Sequence, residues 1–593
     1  MSAGGCRRKD RGLRRRRAAG WGNAPGETLS ITSPTLLEPP VVRRRVGGIL
    51  TSGAPAAILP ALLLCIVVML PLLAVAGLAL GADDGWWTHL AHTVLLEYVL
   101  TTLGLAVGVG VVTLVVGTGA AWLVTMYRFP GRGVLDWALV LPLAMPTYVL
   151  AYAYTDFLQF TGPLQTAIRR LTGWGWQDYW FPSIHSLGGA VTVLSLALYP
   201  YVYVTARAAF VDQASCALEV SRTLGCGPWG AFWRVAVPMA RPSLAAGLAF
   251  VLMETLADFG AVRFFEVPTF TTGIYRAWYA LGSPGTAAQL GAVLMLFVLG
   301  AILLERANRG RAGFAASGIR ERTGEPPRLR GAAGLLALAA TAMPLLLGFA
   351  LPAIVLATMA TGAGDTVSAE RLAVLTRNTV VLAAISVAVI LPVAILAVYA
   401  GRSGGALGRT LLRVATMGYA VPGVVIAVGL LVAVAWVDRT LSDLAASVWG
   451  AKSGLFLGGT ILAVIYGYLV RFFTVAWTPL DAGMTRIRGH VEDAARTLGC
   501  RPFAMLGRIH LPLLRTSLMG AALLVFVDVM KELPATMILR PFNFDTLAVE
   551  TFQLATTERL DGAAVPSLLI VATGLIPVVL LCRVLRTGRR GAG

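Results

Sequence analysis

Twelve apolar runs, each long enough to cross a hydrocarbon core as a helix of about 20 residues, leave this chain few ways to fold. Six lie near 57–80, 99–126, 134–157, 187–206, 243–262 and 286–304, and six more near 332–357, 378–399, 414–437, 456–477, 517–535 and 563–582. With 57% hydrophobic and only 13% charged residues, the sequence reads as an all-α polytopic membrane protein rather than a soluble domain.

An even number of spans puts both termini on one side, and basic residues say which side is cytoplasmic. Of the 49 Lys and Arg, 38 fall on the side of the termini and 11 on the other. One misplaced span would invert every later loop, so this asymmetry supports twelve spans with both ends in the cytoplasm. The net charge of +19 is then explained by loops facing anionic headgroups and calls for no nucleic acid. Residues 1–54, with Arg7, Arg8, Lys9, Arg11 and Arg14 to Arg17, are too polar for a signal-peptide core and read as a disordered basic tail. Six cysteines without a C-x-x-C pair suggest neither a disulfide framework nor a zinc site.

An Arg-rich linker at 305–330 divides a first half, 55–304, from a second, 331–585, and 586–593 form a cytoplasmic end. The halves are related by a repeat. Arg222-Thr223-Leu224-Gly225-Cys226 returns as Arg496-Thr497-Leu498-Gly499-Cys500, and the offset of 274 runs through Pro228/Pro502, Arg234/Arg508, Pro238/Pro512, Arg241/Arg515, Ser243/Ser517 and Leu244/Leu518. That is 11 identities in 23 gapless positions. Six spans per half keep both halves in one orientation, so the repeat is parallel and its axis follows the membrane normal, with the translocation path between halves. The 65 glycines allow close helix packing in lipid.

The repeated segments fall in two cytoplasmic loops, 212–240 and 481–514. In each, a glycine suits a left-handed helix end and a proline suits the first turn of the next helix, giving two short helices at a fixed angle. The pattern resembles the EAA loop of ABC importer permeases: an acidic residue, two small ones, a glycine six residues after the acid, then an Ile-x-Leu-Pro-like close. Here it stands as Glu219-Val220-Ser221, Gly225 and Val235-Ala236-Val237-Pro238, then as Asp493-Ala494-Ala495, Gly499 and Ile509-His510-Leu511-Pro512. The first copy lacks both alanines and the second has Asp for Glu. The resemblance implies a type I importer fold of the MetI-like kind in the bacterial inner membrane. It also implies that Glu219, Arg222, Gly225, Pro238, Asp493, Arg496, Gly499 and Pro512 couple the spans to a cytoplasmic ATPase dimer. The bland alternative is a membrane-surface helix pair without a partner. The only lysines, Lys9, Lys452 and Lys531, do not follow glycine, so the chain has no phosphate-binding Gly-Lys-Ser/Thr loop. It is expected to bind no cofactor itself, ATP being held by the partner.

The first half also resembles the fused permeases of ferric-iron ABC importers, through Leu141 to Tyr148, Ala151 to Asp156, Leu198 to Tyr203, Met253 to Gly260 and Thr269 to Trp278. In the second half only Pro422, the loop and the fifth-span carboxylates match clearly. The resemblance implies a binding protein outside and Tyr148, Tyr152, Asp156, Tyr199, Glu254, Asp258, Asp528 and Glu532 along the path. From the residues alone, Glu254 and Asp258 share a helix face, and Asp528 and Glu532 repeat them. Each carboxylate in the bilayer centre costs about 2.5 to 3.5 kcal/mol, so the four should face the axis or basic partners. Carboxylate and phenol oxygens suit a hard cation such as Fe(III), though path lining is favoured over tight ligation, and no metal site is assigned. His89 and His92 beside Trp86 and Trp87 suit interfacial anchoring, and His185 has no partner visible in sequence. A thiamine, polyamine or phosphonate permease of the same fold and an ion-coupled secondary transporter stay open as alternatives.

Overall fold

The computed structural model describes residues 55–81, 85–175, 177–213, 221, 225–309, 327–362, 367–449, 457–557 and 559–590. The tail, most of the linker, and Glu219 and Arg222 of the first loop lie outside the described residues. Among those described there is no β-strand, only an isolated bridge between Arg128 and Arg328. Among the described residues, eleven helices are long and apolar enough to cross a membrane: Ile58–Gly81, Leu95–Met126, Leu187–Val211, Pro228–Ala257, Pro284–Glu305, Gly331–Gly362, Ala369–Arg402, Gly423–Val448, Ile461–Arg486, Leu506–Met530 and Leu560–Leu580. A bent pair, Arg132–Ala144 with Thr147–Thr172, makes the twelfth. Numbered in chain order, the bent pair is span 3.

Span 3 departs from the straight helix expected over 134–157: its two parts meet at 94°. The cause is local. A proline disfavours helical backbone in the residue before it, and Met145, ahead of Pro146, is extended at φ −101° and ψ 117°. The matching place in the second half behaves alike. A 3-10 turn over Thr416–Ala420 leads to Val421 at φ −78° and ψ 127°, and span 9 starts only after Pro422. The expected run 414–437 is corrected accordingly. Spans 5 and 11 also end earlier than expected, at Ala257 and Met530. Asp258 and Glu532 therefore stand beyond those helices and share no helix face with Glu254 and Asp528.

Three π turns, Phe232–Ala236, Leu346–Ala350 and Leu506–His510, each stop two residues before a proline: Pro238, Pro352 and Pro512. A proline ring donates no hydrogen bond and crowds the carbonyl four residues back, and a widened turn relieves both. Two of these turns sit at matching positions of the repeated loops.

The first span of each half is exchanged. Span 1 packs on span 6 of its own half and on spans 8 and 9 of the other; span 7 packs on span 12 and on spans 2, 3 and 4. A tyrosine hydrogen bond fastens each exchanged span, from Tyr466 Oη to the Val67 carbonyl at 2.8 Å and from Tyr154 Oη to the Leu347 carbonyl at 2.6 Å. At the crossing of spans 1 and 9, a methyl on Gly429 would overlap the Pro71 carbonyl. Gly429→Val is expected to destabilise the protein by about 3 kcal/mol, the upper end of ordinary overpacking, seen as a lower unfolding midpoint in detergent. An unchanged midpoint would refute this packing.

Candidate functional site between the halves

The broken helices converge. Where span 3 bends and spans 5 and 11 stop, they line with spans 4 and 10 a cavity of ≈ 90 Å³. Both halves line it: Tyr148, Tyr201, Glu254 and Asp258 from the first, and Arg471, Asp528, Lys531 and Glu532 from the second.

Asp258 and Glu532 do the same local work. Asp258 Oδ1 accepts the amides of Ala261 and Val262 at 3.0 and 3.2 Å, and Glu532 accepts those of Ala535 and Thr536 at 2.8 and 2.9 Å. Each satisfies the first free N–H groups of the short helix that follows, Gly260–Phe264 or Pro534–Leu539, and places negative charge at its positive end. Thr147 Oγ1 donates to Asp258 at 2.5 Å and Thr536 Oγ1 to Glu532.

The other polar contacts divide unevenly. Lys531 Nζ lies 2.8 Å from Asp528, and Arg471 Nη1 lies 3.4 Å from Glu532. Glu254 accepts the Tyr419 hydroxyl at 2.5 Å. The cavity thus presents four carboxylates to two cations; both cations form their ion pairs within the second half, and Glu254 and Asp258 of the first half make no direct ion pair with them. Among the described residues no three His, Cys, Asp or Glu side chains are grouped to hold a metal ion.

Of the other residues expected along the path, Tyr148 lines the cavity, while Tyr152, Asp156 and Tyr199 do not. Tyr152 and Tyr199 are fully buried in helix packing, and Asp156 is half-buried near the end of the Thr147–Leu158 helix. Sequence reading missed Arg471 and Tyr419. Arg471 carried a signal, a lone cation in the middle of the apolar run 456–477; Tyr419, beside Pro422, carried none. His89 stacks edge-on against Trp86, with ring centroids 6.3 Å apart, and His185 lies 5.8 Å from Phe264.

The repeated loops have the expected turns. Gly225 and Gly499 adopt φ +83° and +76°. Cys226 N donates to the Ser221 carbonyl at 2.9 Å and Cys500 N to that of Ala495 at 3.0 Å, the six-to-one closure of a left-handed helix end. Pro228 and Pro502 then open the next helix. Asp493 and Arg496 are exposed and paired at 3.1 Å, while Pro238 and Pro512 each follow a π turn.

This doubled architecture agrees with known proteins. The profile of the binding-protein-dependent transport system inner membrane component family matches residues 113–309 and again 393–590. The chain belongs to this family. The permease is 26% identical over 495 residues to the Fe(3+)-transport system permease protein FbpB 2 of Haemophilus influenzae, covering 82% of this chain and 89% of the relative. It is 28% identical over 204 residues to the sulfate transport system permease protein CysT of Escherichia coli, covering 34% of this chain and 71% of that protein. The molybdenum transport system permease protein ModB of Escherichia coli is 30% identical over 203 residues, 32% of this chain and 86% of the relative. The permease is therefore an inner-membrane component of the ABC importer class, which removes the secondary-transporter reading.

Proposed function

We propose that the permease carries ferric iron inward across the bacterial cytoplasmic membrane, its termini in the cytoplasm. A separate ATPase dimer docks on the two loops and an external binding protein delivers the cargo. ATP is bound and hydrolysed on the partner, and its closure tilts the population between inward- and outward-open states through differential affinity.

The charge of the cavity carries the substrate reading. Four carboxylates against two cations favour a cation over an oxyanion, since like charges 4 Å apart repel by about 4 kcal/mol at an effective dielectric of 20. Carboxylate and phenol oxygens are hard donors, and the long relative transports Fe(3+) by name. The second reading, an oxyanion cargo, draws on Arg471 and Lys531 and on the sulfate and molybdenum relatives.

Proteoliposomes holding the permease, its ATPase and its binding protein, with ATP inside, decide between them when supplied with radiolabelled ferric iron, sulfate or molybdate. Iron uptake that needs all three proteins is expected, and Glu254→Gln with Asp258→Asn should cut it by roughly tenfold, the effect of about 1.4 kcal/mol. Oxyanion uptake by the unaltered protein, rising in that variant, would replace iron with the second reading.

A further inference from the structure

The two repeated loops are anchored differently. In the second, Glu492 stands beside Asp493, yet Glu492 is only 6% exposed while the Asp493 side chain is 67% exposed. Arg402, the last residue of span 8, places Nε 2.5 Å from Glu492 Oε1. Its Nη1 and Nη2 donate to the carbonyls of Met484 and Ile487, both at 2.8 Å, at the end of span 10. His510, 1% exposed at the start of span 11, sets Nε2 3.2 Å from the same Oε1. One loop carboxylate thus gathers the ends of spans 8, 10 and 11.

The sequence of the first half does not repeat these residues. At the offset of 274, Leu218 replaces Glu492 and Ala236 replaces His510. The residue matching Arg402 is Arg128, whose backbone pairs with the linker: Arg128 N donates to the Pro327 carbonyl at 2.9 Å, and the Arg128 carbonyl accepts from Leu329 N at 2.8 Å. The first loop is wedged by an aromatic instead. Phe232 is buried with its ring 5.0 Å from Trp122 and 4.9 Å from Trp233.

We propose that Glu492, with Arg402 and His510, is a strap that passes movement of the second loop helix, Gly489–Thr497, to spans 8, 10 and 11. The second loop is then an ionic transmitter. The reasoning is mechanical. Glu492 also lies 3.7 Å from Arg496 on its own helix, but Arg402 is the nearer cation and the one a span carries; parting it from a buried carboxylate is disfavoured, so when a docked ATPase moves this helix, the span ends follow rather than part from it. An aromatic wedge resists sliding far less, because apolar contact has no direction. The strap rests on the importer reading, and these are positioning residues with no contact to the cargo cavity.

Two readouts separate a strap from a mere brace. With the permease alone in nanodiscs, amide exchange over 489–497 is expected to quicken about tenfold in Glu492→Gln and in Arg402→Met, with exchange near Gly225 unchanged. With ATPase and binding protein present, the same variants should keep ATP hydrolysis within about twofold while cargo moved per ATP falls about tenfold. The double variant should be no worse than either single one, and Glu492→Asp should recover most of the ratio. Unchanged exchange over 489–497, or an unchanged ratio of cargo to ATP, would overturn the strap. If the unaltered assembly fails to couple ATP to any cargo, the importer reading falls instead, and the exchange measurement, which needs no partner, still judges the anchoring.

Discussion

Valine at both Gly225 and Gly499 is expected to leave the permease inserted in normal amount and to abolish ATP-driven uptake. Space is not the obstacle, since a Cβ at either position would meet nothing within 4 Å. The obstacle is the backbone. At φ +83° and +76° an L-residue pays about 1–2 kcal/mol, and a branched Cβ is the least tolerant of that region. Relief comes from rotating the backbone, which opens the closures from Cys226 to Ser221 and from Cys500 to Ala495 and, in the second loop, changes the angle between the Gly489–Thr497 helix and the helix begun at Pro502. Neither turn lies within a span, so insertion should be spared. Asparagine, which tolerates the left-handed region, supplies the control: the Asn pair should retain about half of the uptake or more. Normal uptake by the valine pair, with membrane amounts matched by immunoblot, would refute a coupling role for the turns.

The second large effect concerns stability. Arg471→Met is expected to destabilise the permease by about 3–5 kcal/mol, the usual consequence of leaving one buried charge alone. Arg471 and Glu532 are both buried, 3.4 Å apart. Glu532 would keep its bonds from Ala535 and Thr536 but lose its counter-charge. Glu532→Gln strands the guanidinium in the same way. The double variant removes both charges and should be more stable than either single one, because replacing a whole buried pair is often neutral. Thermal unfolding in detergent measures all four proteins, and strictly additive losses would show that the two side chains are not coupled. Gly423 reports on the same place: a methyl there would overlap Arg471 Nη1 and sit 3.0 Å from Glu532 Oε1, so Gly423→Ala should mimic part of the loss.

Much of the fold is legible in residue order because its signals are local. Apolar run length marks the spans, and the 274-residue offset marks the halves. Gly225 and Gly499 reveal their turns because a helix end followed by proline has few other solutions. Proline was a poorer guide to the breaks. Pro60, Pro71, Pro200 and Pro392 all sit inside continuous helices, whereas Pro146 and Pro422 mark the breaks in spans 3 and 9. In lipid a proline is tolerated wherever neighbours can satisfy the freed carbonyl, so its effect depends on packing. For the same reason the four-residue spacing of Glu254 and Asp258 pointed to a shared helix face, while Asp258 in fact lies past the helix end and caps the next one.

The candidate site was half legible. Its four carboxylates stand out against an apolar background, since charge inside a span is costly enough to signal a purpose. Their partners did not. Arg471 and Thr147 come from other spans and Tyr419 from the turn before span 9, and nothing in their local sequence says which carboxylate each one meets. The same holds for Arg402 and His510 around Glu492, residues separated by up to 108 positions. Span number, the parallel duplication and the loop turns follow from residue order, because hydropathy, repeat offset and backbone strain are properties of short segments. The exchange of spans 1 and 7 and the pairing of charges across the central cavity exist only once the chain is folded. A span that is apolar on every side carries no stripe to name its neighbour, so in lipid that choice falls to shape, such as the bare face of Gly429 against Pro71.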